Sequence, residues 1–169
     1  YYNRSIKIKK EVGDKIGIAS AFGNIGDIHQ KQGKTKEALD DHHRSLRIAE
    51  EIGDKKGIAA SLSRIGIIYY NQGKVKEAFD YYKRSLTIQI EIGDKKGIAI
   101  SFNNIGIIHN DQGELMEALE YGHKSLNISE EIGFPANISE ASSLLSEVYQ
   151  KQGKGMKALE MYKLYQKNF

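Results

Sequence analysis

Residues 53–92 read GDKKGIAASLSRIGIIYYNQGKVKEAFDYYKRSLTIQIEI, and the chain repeats this pattern with a period of 40 residues. Two glycine series mark the period: Gly13, Gly53, Gly93, Gly133 and Gly33, Gly73, Gly113, Gly153. Alanines recur at the same interval, at Ala38, Ala78, Ala118 and Ala158. A period of this length is typical of arrays in which each repeat packs on its neighbours. The sequence therefore predicts a repeat protein.

Each repeat has the pattern of two helices. The segment Ile18 to Lys31 places Phe22 and Ile25 on one helical face, and Lys36 to Ile52 repeats that spacing. Glycine separates the two segments, and a Gly-Asp pair precedes the next helix, where Asp can act as N-cap. We therefore predict an all-α fold with a single array over residues 1–169. Its parts are an orphan second helix at 1–12 and helix pairs at 13–52, 53–92, 93–132 and 133–169. Since the chain starts inside a repeat and without Met, we expect a fragment of a longer protein.

Glycines inside the first helices predict how closely the two helices of a pair pack. Gly26, Gly66 and Gly106 recur at one helical position, where glycine costs about 1 kcal/mol relative to alanine. Their recurrence indicates a close approach between helices. We expect Ala38 and Ala78 to face them from the second helices.

The composition excludes several classes of function. The chain has no Cys and a formal net charge of +3, with basic and acidic residues interleaved. This gives no basic stripe for nucleic acid and no apolar run of the length that spans a bilayer. His29 and His109 occupy the place of Tyr69 and so predict core aromatics, not metal ligands. We expect no metal, no cofactor, no catalytic residues and no enzyme activity, and a cytoplasmic location without membrane contact.

A family resemblance rests on one helix pair in particular. Ile65-Gly66, Tyr69, Gly73 and Ala78 resemble the tetratricopeptide repeat (TPR). The 40-residue period is similar to the long-repeat type of Pins-type scaffolds and kinesin light chain, and to bacterial TPR signalling proteins. The resemblance implies a right-handed α-solenoid of stacked antiparallel helix pairs, the TPR superhelix. It also implies a concave groove lined by the first helix of each pair, where related arrays hold peptides.

The outward arc of the first helices supplies the predicted peptide-binding groove. It comprises Asn24, Asp27, Lys31, Ser63, Arg64, Ile67, Tyr70, Asn71, Ile100, Asn103, Asn104, Ile107, Asn110, Asp111, Glu147 and Lys151. The middle of this arc is apolar, which favours an anchor for an apolar ligand side chain, with backbone hydrogen bonds from its asparagines. The alternative is that neighbouring first helices bury these isoleucines against each other.

The leading functional prediction is a non-enzymatic protein–protein interaction module that binds a peptide or helix of a partner. One alternative is a ligand-sensing regulatory segment of a larger signalling protein, such as a kinase, cyclase or transcription regulator. Another is self-assembly, since Tyr2, Ile6 and Ile8 at one end and residues 161–169 at the other would leave apolar faces uncovered. That alternative predicts a homodimer through the terminal helices.

Overall fold

The computed structural model describes residues 13–169, and these residues form eight α-helices and no strand. The helices are α1 (Lys15–Lys31), α2 (Thr35–Ile52), α3 (Lys55–Asn71), α4 (Val75–Glu91), α5 (Lys95–Asp111), α6 (Leu115–Glu131), α7 (Pro135–Lys151) and α8 (Gly155–Asn168). The predicted all-α class is confirmed, whereas the orphan helix at 1–12 lies outside the described residues. None of the described helices is long and apolar enough to cross a membrane.

The helix starts follow from local side-chain chemistry. Asp14 precedes α1, and its Oδ1 accepts a hydrogen bond of 2.7 Å from the backbone N–H of Gly17. Asp54 and Asp94 cap α3 and α5 in the same way. These caps satisfy N–H groups that lack a partner inside the helix, and they start α1 three residues before the predicted Ile18.

The turns between helices depend on backbone conformation. Every glycine of the two periodic series has a positive φ, between 62° and 78°. Residues with a Cβ rarely adopt this conformation, so glycine allows the turn at each of these positions at low cost. The short turns make consecutive helices antiparallel.

The described residues form two compact units, which divide between Ile88 and Gln89. In unit 1, α2 packs between α1 and α3, and Leu46, Leu62 and Ile65 form a buried core cluster. In unit 2, α6 packs between α5 and α7, and α8 packs on α7. Leu126, Leu145 and further apolar residues form the core there. The single array over residues 1–169 stays a prediction.

The helix-interior glycines do mark close approaches, and the nearest side chains are those of His42 and Tyr82. A Cβ on Gly26 would lie 2.7–2.9 Å from the ring of His42, and one on Gly66 would lie 2.7 Å from the ring of Tyr82. Ala38 and Ala78 are fully buried, but their atoms are not among those nearest to the glycines. The nearest side chain lies one helical turn after the alanine on the second helix, where its ring can approach a backbone that has no Cβ.

Candidate partner-binding surface on the first helices

The predicted groove residues all lie on the first helices α1, α3, α5 and α7, but they differ in exposure. Asn24, Lys31, Asn71, Asp111, Glu147 and Lys151 are exposed. Asp27, Ser63, Arg64, Ile67, Tyr70, Ile100, Asn104 and Ile107 are half-buried, and Asn103 and Asn110 are buried. The structure therefore offers only part of the predicted arc directly to a partner.

In unit 1 two charged members of the arc, Asp27 and Arg64, pair with each other. The Nε of Arg64 donates a hydrogen bond of 2.9 Å to Oδ1 of Asp27, which joins α3 to α1. The Nε2 of His42 lies 3.6 Å from the same carboxylate oxygen. Burial lowers the pKa of His42 to about 4, so the ring is neutral at pH 7. As predicted, His42 takes the place that Tyr82 fills in the next repeat.

In unit 2 a lysine completes a three-residue polar network between α5 and α7. The Nδ2 of Asn110 donates to Oε1 of Glu147 at 2.9 Å. The Nζ of Lys151 donates to Oδ1 of Asn110 at 2.9 Å and lies 2.8 Å from Oε1 of Glu147. The hydrogen bonds from Lys151 and Asn110 lower the pKa of Glu147. The amide of Asn110, expected to bind a ligand backbone, is therefore engaged within the protein.

Asn103 and Asn104 differ from Asn110 because part of each amide has no hydrogen-bond partner. Asn103 is 2% exposed, and its Oδ1 is buried without a donor. The Nδ2 of Asn104 is likewise buried without an acceptor. An unsatisfied buried polar atom costs about 1–3 kcal/mol, so these two amides are exceptions that need a physical reason.

The apolar members of the arc have unequal roles. Ile107 packs against the buried cluster of Ala118, Leu144 and Val148, so at this position the burial alternative holds. Ile100 lies two turns earlier on α5 and is half-buried. It stays a candidate for contact with an apolar ligand side chain.

The histidines have structural partners. The ring of His109 stacks on Tyr121 at 5.3 Å, as Tyr69 stacks on Tyr81 at 5.3 Å, which matches the predicted aromatic role. His29 instead places its Nδ1 2.8 Å from Oδ2 of Asp41. Across residues 13–169, no group of three or more His, Cys, Asp or Glu residues could hold a metal ion.

The sequence pattern did not predict the polar bridges between first helices. Both bridges, Asp27 to Arg64 and Asn110 to Glu147, join residues 37 positions apart. A search for complementary polar residues at this separation, slightly shorter than the period, would have found them.

The family follows from the repeat itself. The model of the tetratricopeptide repeat family matches residues 17–91 and 97–166. The chain therefore belongs to the tetratricopeptide repeat family. No curated protein sequence matches the chain.

Three solved structures share the fold. A Rap protein complexed with competence and sporulation factor is 20% identical, with a TM-score of 0.86 over 99% of this chain and 47% of that one. The Rap conjugation gene regulator of plasmid pLS20, in complex with the Phr* peptide, is 19% identical (TM-score 0.84, 97% and 46% covered). Aspartyl phosphate phosphatase F from Bacillus subtilis is 17% identical (TM-score 0.80, 99% and 53% covered). The chain spans about half the length of these three proteins, and the likeness at this identity concerns the fold.

Proposed function

We propose that the chain is a non-enzymatic interaction module that binds a peptide or helix of a partner protein through its first helices. The observation that carries the proposal is the neighbouring pair Asn103 and Asn104, with an acceptor and a donor that the described structure leaves without partners. A peptide group offers the complementary N–H and C=O. The half-buried Ile100 on the same helix would contact an apolar ligand side chain.

The Rap regulator solved with the Phr* peptide supports this proposal, because it shows a peptide ligand in a protein of this fold. The other predicted groove residues, including Asn24, Lys31, Ser63, Ile67, Tyr70, Asn71 and Asp111, stay candidates for contact with a partner. We further propose a cytoplasmic protein that binds neither nucleic acid nor membranes.

The test is a display selection of random peptides on the wild-type chain and on Asn104→Ala. Loss of a satisfied amide from a peptide contact costs about 1–3 kcal/mol, so we expect binding of enriched peptides to weaken by about fivefold to 150-fold. Asn127→Ala is the matched control, since Asn127 is an exposed asparagine on the second helix α6. We expect it to bind as the wild type does.

Circular dichroism of each variant separates binding from folding. If no peptide enriches on the folded wild type, or if Asn104→Ala and Asn127→Ala bind equally, the proposed surface is wrong.

Two alternatives each have an observation in their favour. The similar fold of a peptide-bound gene regulator favours a ligand-sensing segment of a larger signalling protein. That role predicts that an enriched peptide slows hydrogen exchange in helices beyond its contact site. Exposed apolar residues on α8, Met156 at 82% and Leu159 at 47%, favour self-assembly. That role predicts a dimer in size-exclusion chromatography, disrupted by Leu159→Glu. The residues Tyr2, Ile6 and Ile8 expected to take part lie outside the described range.

A further inference from the structure

Asn103 and Glu140 in unit 2 occupy the same relative positions on α5 and α7 as Asn110 and Glu147. Each pair has one member on α5 and one on α7, and both have the 37-residue separation of the observed bridges. α5 contacts α7 directly, and the two helices run in the same direction because α6 returns between them. Moving seven residues back along both helices is two turns, about 10 Å, and keeps the partners opposite each other. Glu140 therefore occupies the position opposite Asn103 that Glu147 occupies opposite Asn110.

The two pairs differ in two respects: the hydrogen bond from Asn110 to Glu147 has no counterpart between Asn103 and Glu140, and only the first pair has a lysine. The Asn110–Glu147 pair holds the ammonium group of Lys151, which donates to Oδ1 of the asparagine and contacts the glutamate. Lys151 follows Glu147 by four residues, whereas Leu144, a core residue 5% exposed, follows Glu140 by four. The Asn103–Glu140 pair therefore has no lysine at the equivalent position.

The hydrogen bonding of Asn103 and the pKa of Glu140 both agree with the absence of a lysine at this position. Oδ1 of Asn103 is a buried acceptor without a donor. Glu140 is exposed as a residue, yet the atoms packed around its carboxyl group raise its pKa, with no cation to offset the effect. The pKa of Glu147 is lowered instead, chiefly by the hydrogen bond from Lys151. Two acceptors that lie opposite each other can be satisfied together by one cationic donor, because an ammonium group has three N–H donors.

We infer that the partner supplies a lysine or arginine side chain between Asn103 and Glu140, in the way Lys151 supplies one between Asn110 and Glu147. The inference rests on the proposed function and deepens it, because it names the ligand as a segment with a basic residue. The apolar contact at Ile100, one turn before Asn103, would place an apolar residue of the ligand near that basic residue.

The experiment is the same random-peptide selection, read for composition and followed by binding of the enriched peptides to charge variants. We expect Lys or Arg at one fixed consensus position. Glu140→Gln should weaken binding about tenfold or more, because a charge-assisted hydrogen bond is lost. Glu160→Gln is the matched control, since Glu160 is exposed on the second helix α8.

A charge exchange makes the test specific to the pair. Glu140→Lys should abolish binding of the basic peptide, and the same peptide with its consensus Lys replaced by Glu should recover it. Circular dichroism checks that both variants keep their helix content, so that a folding defect is recognised.

The outcomes separate this inference from the proposed function. If peptides enrich and depend on Asn104, but show no basic consensus and bind Glu140→Gln as tightly as the wild type, the inference is overturned and the proposed function stands. If no peptide enriches on the folded wild type, both are overturned.

Discussion

The helix pairs at 53–92 and 93–132 fill the same interior position in different ways. In the first, the ring of Tyr82, 2% exposed, lies against Gly66. In the pair at 93–132 both helices have glycine at the interior position, Gly106 on the first and Gly122 on the second. A Cβ added to either glycine would lie within 3 Å of a leucine side chain. Those leucines, Leu144 and Leu145, belong to the following helix α7.

This difference shows that the repeat pattern determines which interior position must be filled, but not which helix supplies the side chain that fills it. Close packing requires the volume to be occupied, and an aromatic ring within the pair or leucines from the next pair can both occupy it. In the pair at 13–52 a third solution is used, the neutral imidazole of His42.

The largest effect should come from emptying the interior of the pair at 53–92. Tyr82→Ala removes a fully packed ring, and we expect the free energy of unfolding to fall by about 3–5 kcal/mol. Guanidinium chloride unfolding followed by circular dichroism measures it. Tyr162→Ala is the control, because Tyr162 has the equivalent position on α8 but is 49% exposed. Equal losses for the two variants would show that the Gly66–Tyr82 contact is not a core contact.

An intermediate effect should come from lowering the pH, which acts on His42 in the pair at 13–52. The unfolded chain binds a proton at His42 near pH 6.5, whereas the folded chain does so near pH 4. The unfolded state therefore binds more protons in this window, and stability is lost as the pH falls through it. From pH 7 to pH 5 the loss is about 2 kcal/mol.

The variant His42→Tyr copies Tyr82 and removes this titration. The neighbouring charged groups Asp27, Asp41, His43 and Arg64 remain in both proteins, so the difference between wild type and variant isolates His42. Unfolding at pH 7 and pH 5 gives the comparison. If wild type and His42→Tyr lose the same free energy of unfolding between pH 7 and pH 5, His42 is not buried as a neutral ring.

The smallest effect concerns the helix starts, where the pairs at 93–132 and 133–169 also differ. Asp94 caps α5, whereas α7 begins after Phe134 without a side-chain cap and with Pro135 in its first turn. We expect Asp94→Ala to lower the free energy of unfolding by about 1 kcal/mol. Lys34→Ala, at the uncapped start of α2, should change it by less, and chemical denaturation of both variants decides.

The sequence predicted more of the fold than of the surface. The glycine series and Asp14, Asp54 and Asp94 act on their own backbone, so their roles could be predicted from neighbouring residues alone. Asn110 was predicted to face a ligand, but its amide binds Glu147, which lies 37 residues away on another helix. Such a contact depends on how two helices are aligned, and this is not encoded within either helix.

The sequence by itself determined the all-α class, the helix pairs, their caps and turns, and the family. These features depend on interactions within one repeat; the turn glycines recur in all four repeats and the Asp cap in three of them. Only the tertiary structure decided that His42 and Tyr82 lie against the glycines, that Ile107 belongs to the core, and that the amide of Asn110 binds Glu147 of another helix. Each of these depends on side chains from different helices meeting in space, where packing and charge pairing select among arrangements that the repeat pattern equally allows.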